Sequence, residues 1–282
     1  MNASPTVADV IRSSAERLAE SGSERPRLDA ERLLGHVLGL DRVGLYMHVG
    51  RPLTGREVKR ADDLIARRAA HEPLQYVLGE WGFRRLTLAV DRRALIPRPE
   101  TEIVVERCLA LIAARKAPRV LDVGTGTGAI ALAIADEHPG ARVTAIDVSQ
   151  DALALARENA TRTGIAIELR THDLFGGLPG SGWDLVVSNP PYVRSEELAG
   201  LAREVVEWEP EVALVERGQT AAIVRDAASV LRRGGALVLE THDGGAAEVA
   251  ALLVEAGYDE VAVTEDLAGR ERVVEGRLGA RS

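Results

Sequence analysis

The chain has 282 residues, enough for two domains or for one large domain with an appendage. A hydrophobic fraction of 46% supports real cores, and a net charge of −8 argues against nucleic-acid binding, which needs a basic face. The single cysteine, Cys108, excludes disulfide scaffolds and cysteine-rich metal sites, so no metal is expected.

The amino-terminal region carries helix signals and little else. Val7, Val10, Ile11, Ala15 and Leu18 recur at helical spacing up to Gly22. Leu28, Leu33, Leu34, Val37 and Leu38 mark a second helix closed by Gly39. A third opens on Thr54 and Glu57, a capping-box pair, and continues through Val58, Ala61, Leu64 and Ile65. Residues 1–70 therefore read as a small helical bundle, either a packing appendage or a surface that docks a macromolecular substrate. No apolar signal core and no membrane-length run is present, and a cytoplasmic protein without membrane contact is expected.

Residues 71–96 read as a linker with a β-hairpin, because WGFRRLTLAV alternates. In LIPRPETE (residues 95–102), Pro97 and Pro99 force an extended path, and Thr101 is expected to cap a helix through Val104, Val105, Cys108 and Leu111. Cys108, in that apolar run, is expected to be a packing residue. Over 97–282 strands and helices alternate, the pattern of a mostly parallel sheet with helices on both faces. The strands are VLDVG, RVTAIDV, IELRTHDLF, DLVVSNPPY and GGALVLET. A closing pair, EVAVTED and RERVVEGRL, reads as an antiparallel hairpin.

Two motifs carry chemistry. In the first, a strand runs into Gly124-Thr125-Gly126-Thr127-Gly128 and then a helix, removing side chains where a ligand must approach backbone N–H groups. This loop also fits a dinucleotide fingerprint, with Ala129 in place of the last glycine. Asp122, two residues before the loop, is expected to oppose a pyrophosphate and suit a cationic ligand. Asp147, at the end of the next strand and 19 residues beyond Gly128, is placed to accept both ribose hydroxyls. A positively charged nucleoside without phosphate fits both acids, and S-adenosylmethionine is such a molecule. An NAD site remains the alternative on the loop alone.

The second motif is Asn189-Pro190-Pro191-Tyr192, directly after the apolar strand WDLVVS. The prolines fix the direction of the Pro190 carbonyl, Asn189 supplies an amide oxygen, and Tyr192 supplies a flat ring. Together they form a cradle for a planar NH2 group, with two oxygens to accept its hydrogens. An ordinary Pro-Pro turn is the structural alternative.

PLQYVLGEWGF, LIPRPETE, LDVGTGTGAIALAIA, VSNPPY and DLAGRERVV, in this order, resemble signatures of the HemK family. Members are S-adenosylmethionine-dependent methyltransferases that modify the glutamine side-chain N5 of class 1 peptide chain release factors. The resemblance covers most of the chain. It implies an α/β fold: a class I, Rossmann-like, seven-stranded methyltransferase domain preceded by a small helical domain. It also implies that Gly124 to Gly128 line the cofactor, that Asp147 holds the ribose, and that Asn189 to Tyr192 bind the target glutamine, with Asn189 also beside the cofactor. The adenine-packing position, often aromatic in the family, is Leu174 here, with Phe175 next, so aliphatic packing is expected. ETHDGGAAEV after the fifth strand departs from the family's glycine-then-glutamine pattern. No general base is needed, and His36, His48, His71, His138, His172 and His242 are expected to be surface or packing residues. Three rivals remain: a DNA adenine methyltransferase that shares NPPY, a catalytically silent binding module, and an NAD oxidoreductase.

Overall fold

The computed structural model describes residues 4–279. They divide into two compact units, one formed by residues 4–79 with 202–208 and the other by residues 80–201 with 209–279.

The first unit contains α1 (Val7–Glu20), α2 (Pro26–Leu38), α3 (Arg42–Met47), α4 (Gly55–Ala69) and α5 (Leu74–Leu78). α1 starts at a capping box made by Thr6 and Asp9, and α4 at the Thr54–Glu57 box expected from sequence. α2 ends at Gly39, whose φ of +65° costs a glycine little. One core joins Val7, Val10, Leu34, Val37, Leu45, Leu53 and Ala61; a second joins Leu18, Ala30, Leu33, Ile65, Leu74 and Val77. Burying each large side chain contributes about 1.5–3 kcal/mol. Residues 202–208 join this unit partly through Arg68, which donates to Asp29 at 2.9 Å and to Glu204 at 2.6 Å.

The second unit opens with an antiparallel hairpin, β1 (Glu80–Phe83) and β2 (Leu86–Ala89). Phe83 and Leu88 are fully buried in the same cluster as α6 (Thr101–Ile112), where Cys108 packs as expected. Then follow β3 (Arg119–Val123), α7 (Ala129–Glu137), β4 (Arg142–Asp147), α8 (Gln150–Thr163), β5 (Glu168–Thr171) and β6 (Trp183–Ser188). The remaining elements are α9 (Arg203–Trp208, within the first unit), α10 (Gln219–Val230), β7 (Leu231–Glu240), α11 (Ala246–Glu255), β8 (Tyr258–Glu265) and β9 (Glu271–Leu278).

The seven-stranded sheet has the order β5-β4-β3-β6-β7-β9-β8. Its first five strands are parallel, and β9 runs antiparallel to both β7 and β8. The closing pair is thus a hairpin, as expected, with its second strand inserted against the parallel sheet. Successive residues of β3 face opposite cores: Val120 joins the α6 and α7 side, whereas Leu121 and Val123 join the α10 and α11 side. Chain order runs outward from β3 in one direction and then restarts at β6 on its other flank. The sheet's topological switch point, where ligands bind in open α/β sheets, lies at the carboxyl ends of β3 and β6.

Candidate active site

Register places the two sequence motifs together. Val123, the last residue of β3, pairs with Ile146 of β4 on one side and with Ser188 of β6 on the other. Gly124, Asp147 and Asn189 therefore leave three adjacent strands at the same level. Ser188 locks this arrangement by donating its hydroxyl to the Val123 carbonyl at 2.7 Å.

The loop after β3 is held by backbone bonds. Gly124 and Thr125 both donate to the Ile146 carbonyl, at 2.9 and 3.0 Å. Gly124, Gly126 and Gly128 have φ of +73°, +55° and +82°, a region in which any other L-residue is strained. Gly128 has a further constraint, because a Cβ there would stand 3.3 Å from both Ala156 Cβ and Leu132 Cδ1. It serves the approach of α7 to α8 and does not line the cavity described below. A Cβ on Gly124, by contrast, would meet nothing within 4 Å.

Gly124, Thr125, Gly126 and Thr127 line a cavity of about 330 Å³ together with Asp147, Leu174, Phe175, Asn189 and Pro191. Asp147 Oδ2 accepts the Gly126 N–H and Oδ1 accepts the Ser149 N–H, each at 2.9 Å. A carboxylate has about four acceptor positions, so two remain for a pair of vicinal hydroxyls. Burial raises the Asp147 pKa from its ordinary value, and the backbone N–H bonds oppose that shift. Leu174 is partly buried against the α10 side of the core, and Phe175 beside it is exposed; both border the cavity. These features fit a nucleoside such as S-adenosylmethionine carries: a ribose acceptor, a loop with room against its backbone, and an apolar wall.

Asp122 corrects the sequence reading. It is fully buried, does not border the cavity, and receives the Thr125 hydroxyl at 2.6 Å. Burial, with the Asp147 charge adding to it, raises its pKa to about 7. A charge sealed under the loop cannot select a cation by contact, so Asp147 alone presents a carboxylate to the cavity from this pair. Thr101 is a second correction. Glu100 occupies the cap position of α6 without a side-chain bond, and Thr101 is the first helical residue. Its hydroxyl is used elsewhere: Asn189 Nδ2 donates to Thr101 Oγ1 at 3.4 Å.

Pro190 is buried and Tyr192 half-buried; neither borders the cavity, unlike Asn189 and Pro191 between and beside them. The Tyr192 ring lies 6.0 Å from that of His242, tilted by 46°. Burial, reinforced by Glu240, pushes its hydroxyl up to about 12, so it stays protonated. His172 borders the cavity with Nε2 2.6 Å from the Gly177 carbonyl; a carbonyl only accepts, so that nitrogen carries the proton.

Three features were missed from sequence. Glu240, at the end of β7, is 3% exposed, and burial raises its pKa to about 7. An acid ending the apolar run Ala236–Leu239 was the signal that could have found it. Arg98 pairs with buried Glu209, which also accepts the Ile96 N–H at 3.3 Å. That ion pair ties residues 96–98 to the wall formed by Pro210, Val212 and Ala213.

Residues 9–79 match the family model described as "PrmC N-terminal domain", and residues 105–256 match "Methyltransferase small domain". A release factor glutamine methyltransferase of Chlorobaculum tepidum is 43% identical over 277 residues, covering 93% of each chain. Its counterpart in Deinococcus radiodurans is 44% identical over 275 residues, covering 95% of this chain and 97% of that one. Among solved structures, a methyltransferase of Pyrococcus furiosus superposes with a TM-score of 0.50 at 17% identity. That superposition covers 77% of this chain and 99% of the other, and it supports the fold alone.

Proposed function

The chain belongs to the release factor glutamine methyltransferase family, and from that premise we propose how its own residues carry out the reaction. The enzyme transfers a methyl group from S-adenosylmethionine to the N5 of a glutamine in class 1 peptide chain release factors, tuning translation termination. It acts in the cytoplasm, on a protein and not directly on nucleic acid, in keeping with a net charge of −8. The observation that carries the reading is the strand register that sets Gly124, Asp147 and Asn189 side by side.

Asp147 accepts the ribose hydroxyls, Gly124 to Thr127 offer backbone, and Leu174 packs on the adenine. Gly128 acts through the loop's shape. When bound, the cofactor supplies an electrophilic methyl on a sulfonium. The poor nucleophile is the glutamine amide nitrogen, and the protein's task is to align it. Asn189 Oδ1 and the Pro190 carbonyl accept its two hydrogens, while Pro191 forms part of the surrounding wall. Positive charge develops on that nitrogen during reaction, so both acceptors hold it more tightly in the transition state. In-line placement contributes further, up to about 7–11 kcal/mol in well-oriented reactions. The N-methylated amide is at first cationic and strongly acidic; it releases one N–H proton to water, so no side-chain base is required.

The helical unit is assigned recognition of the release factor. Val43, Tyr46, Met47 and Val49, on and just after α3, form an exposed apolar group, with Met47 77% exposed. The reaction is tested by incubating the protein with methyl-labelled S-adenosylmethionine and a purified release factor, then mapping the label by mass spectrometry. The reading requires the label on one glutamine side chain. Label on another residue type, or none, would contradict it.

A further inference from the structure

We infer that the helical unit reads a carboxylate on the protein substrate through Arg27 and Arg42, beside a groove that takes an apolar side chain of the same segment. The inference rests on the function proposed above and names the chemistry by which the release factor is held.

The groove lies among α1, α2, α3 and the turn after α3, with a volume of about 360 Å³. Ala8, Ile11 and Ala15 line it from α1 at the spacing of one helix face, and Leu45 and Val49 complete the apolar lining. Glu31 also borders it, with only 3% of its side chain exposed. Three donors hold that carboxylate: Arg27 Nε at 3.1 Å, Arg42 Nε at 2.9 Å and the Tyr46 hydroxyl at 2.9 Å. Burial raises the Glu31 pKa, but the hydrogen bonds from Arg27, Tyr46 and Arg42 outweigh burial and lower it, so the group stays ionised.

The anion is hidden and its partners are displayed. The Arg27 and Arg42 side chains are 70% and 64% exposed. Each guanidinium spends its Nε–H on Glu31, and its terminal nitrogens make no hydrogen bond among the described residues. Four N–H groups on each arginine therefore remain for a ligand. Two guanidiniums share one carboxylate, so the cluster keeps one net positive charge at its surface. The Glu31 contacts fix where both forks stand, and an arriving carboxylate meets donors that are already ordered. Arg42 also lies over the Tyr46 ring, 5.8 Å from its centroid, so this exposed ring is held by its face and by its hydroxyl.

These features select the occupant. The displayed charge favours an acid, and the apolar lining requires a hydrophobic group beside it. Of the other charges at the groove, Arg12 is spent on Asp9 at 2.6 Å, while Glu16 has no partner among the described residues. Glu16 repels a segment that is acidic throughout, so the fitting partner carries a single acid next to an aliphatic or aromatic side chain. A protein substrate supplies such a segment.

The test uses the full-length protein, purified release factor and a short peptide carrying the target glutamine. Arg27→Gln combined with Arg42→Gln should raise KM for the release factor by about 10–30-fold, the loss of an interfacial anchor, at unchanged kcat. Wild-type KM should rise with added NaCl, and this double variant should lose most of that dependence. Arg27→Lys combined with Arg42→Lys keeps the charge without the fork, and its KM should fall between the two with the wild-type salt slope. The lysine pair also carries the test if the glutamine pair fails to fold, judged by S-adenosylmethionine calorimetry and thermal unfolding. Methylation of the short peptide should match wild type in both. An unchanged KM in the folded variants, or an equal loss on the peptide, would overturn the inference. So would a wild-type chain that sediments as a dimer beside a monomeric glutamine pair, which would give the groove to a second copy. If the wild type methylates neither release factor nor peptide, the proposed function fails and the inference with it. If it methylates both and the variants match it, only the groove's role falls.

Discussion

The two halves of the cavity are built by different means. The cofactor half is made of backbone: the loop after β3 hangs on the Ile146 carbonyl, and Asp147 is held by the Gly126 and Ser149 amides. The glutamine half depends on side chains from distant segments, with Asn189 after β6 reaching Thr101 at the start of α6. A backbone-built site is copied wherever the strand order is copied, and it serves any reaction that uses the same cofactor. A site built from side chains can be specialised one residue at a time. The first half should therefore govern binding of the cofactor, and the second the rate at which a particular amide reacts.

The largest expected effect lies in the glutamine half. Asn189→Ala should lower kcat by roughly 10²–10³, by analogy with removing one group from an oxyanion hole, while cofactor affinity survives. In the cofactor half, Asp147→Ala should weaken S-adenosylmethionine binding by about 1.5–3 kcal/mol in calorimetry. Outside both halves, Met47→Glu on the exposed face of α3 should raise KM for the intact release factor by about 1–2 kcal/mol equivalent. It should leave methylation of a short glutamine peptide unchanged, and an equal loss on both would remove the docking role. Gly128→Ala should cost about 1–2 kcal/mol in urea unfolding for its left-handed φ alone.

The smallest effect is one of slope. The Asp122 pKa stands at about 7 in the folded protein, against an ordinary value of 3.8. The folded chain thus keeps a proton that the unfolded chain has released. Stability from this group is present below the unfolded value and is lost as pH rises toward 7. Glu240 acts in the same direction. Asp122→Asn should flatten the decline of the unfolding midpoint across that window, and an unchanged slope would show that Asp122 titrates normally.

The same contrast explains what the sequence made legible. The glycine loop, Asp147 and NPPY could be read because their spacing follows strand length and turn chemistry, both local. The Thr54–Glu57 cap and the Gly39 stop were readable for the same reason. α3 and α5 escaped notice because five or six residues are too few to establish a period. The insertion of β9 between β7 and β8 depends on pairing, which alternation does not encode. Thr101 looked like a helix cap because a threonine before an apolar helical run usually is one. Its hydroxyl serves a partner 88 positions away, beyond any local rule. Asp122 was misread because sequence spacing says where a residue lies along a strand and not which side of a loop its carboxylate reaches.

The division of labour is tested most directly by the saturated single-turnover rate of methyl transfer to the release-factor glutamine, compared between Asn189→Ala and Asp147→Ala. With both ligands saturating, the Asp147→Ala rate should approach wild type, because its defect lies in binding. The Asn189→Ala rate should stay low however much ligand is added. A near-wild-type rate for Asn189→Ala, or an equal loss in both variants, would contradict the amide cradle.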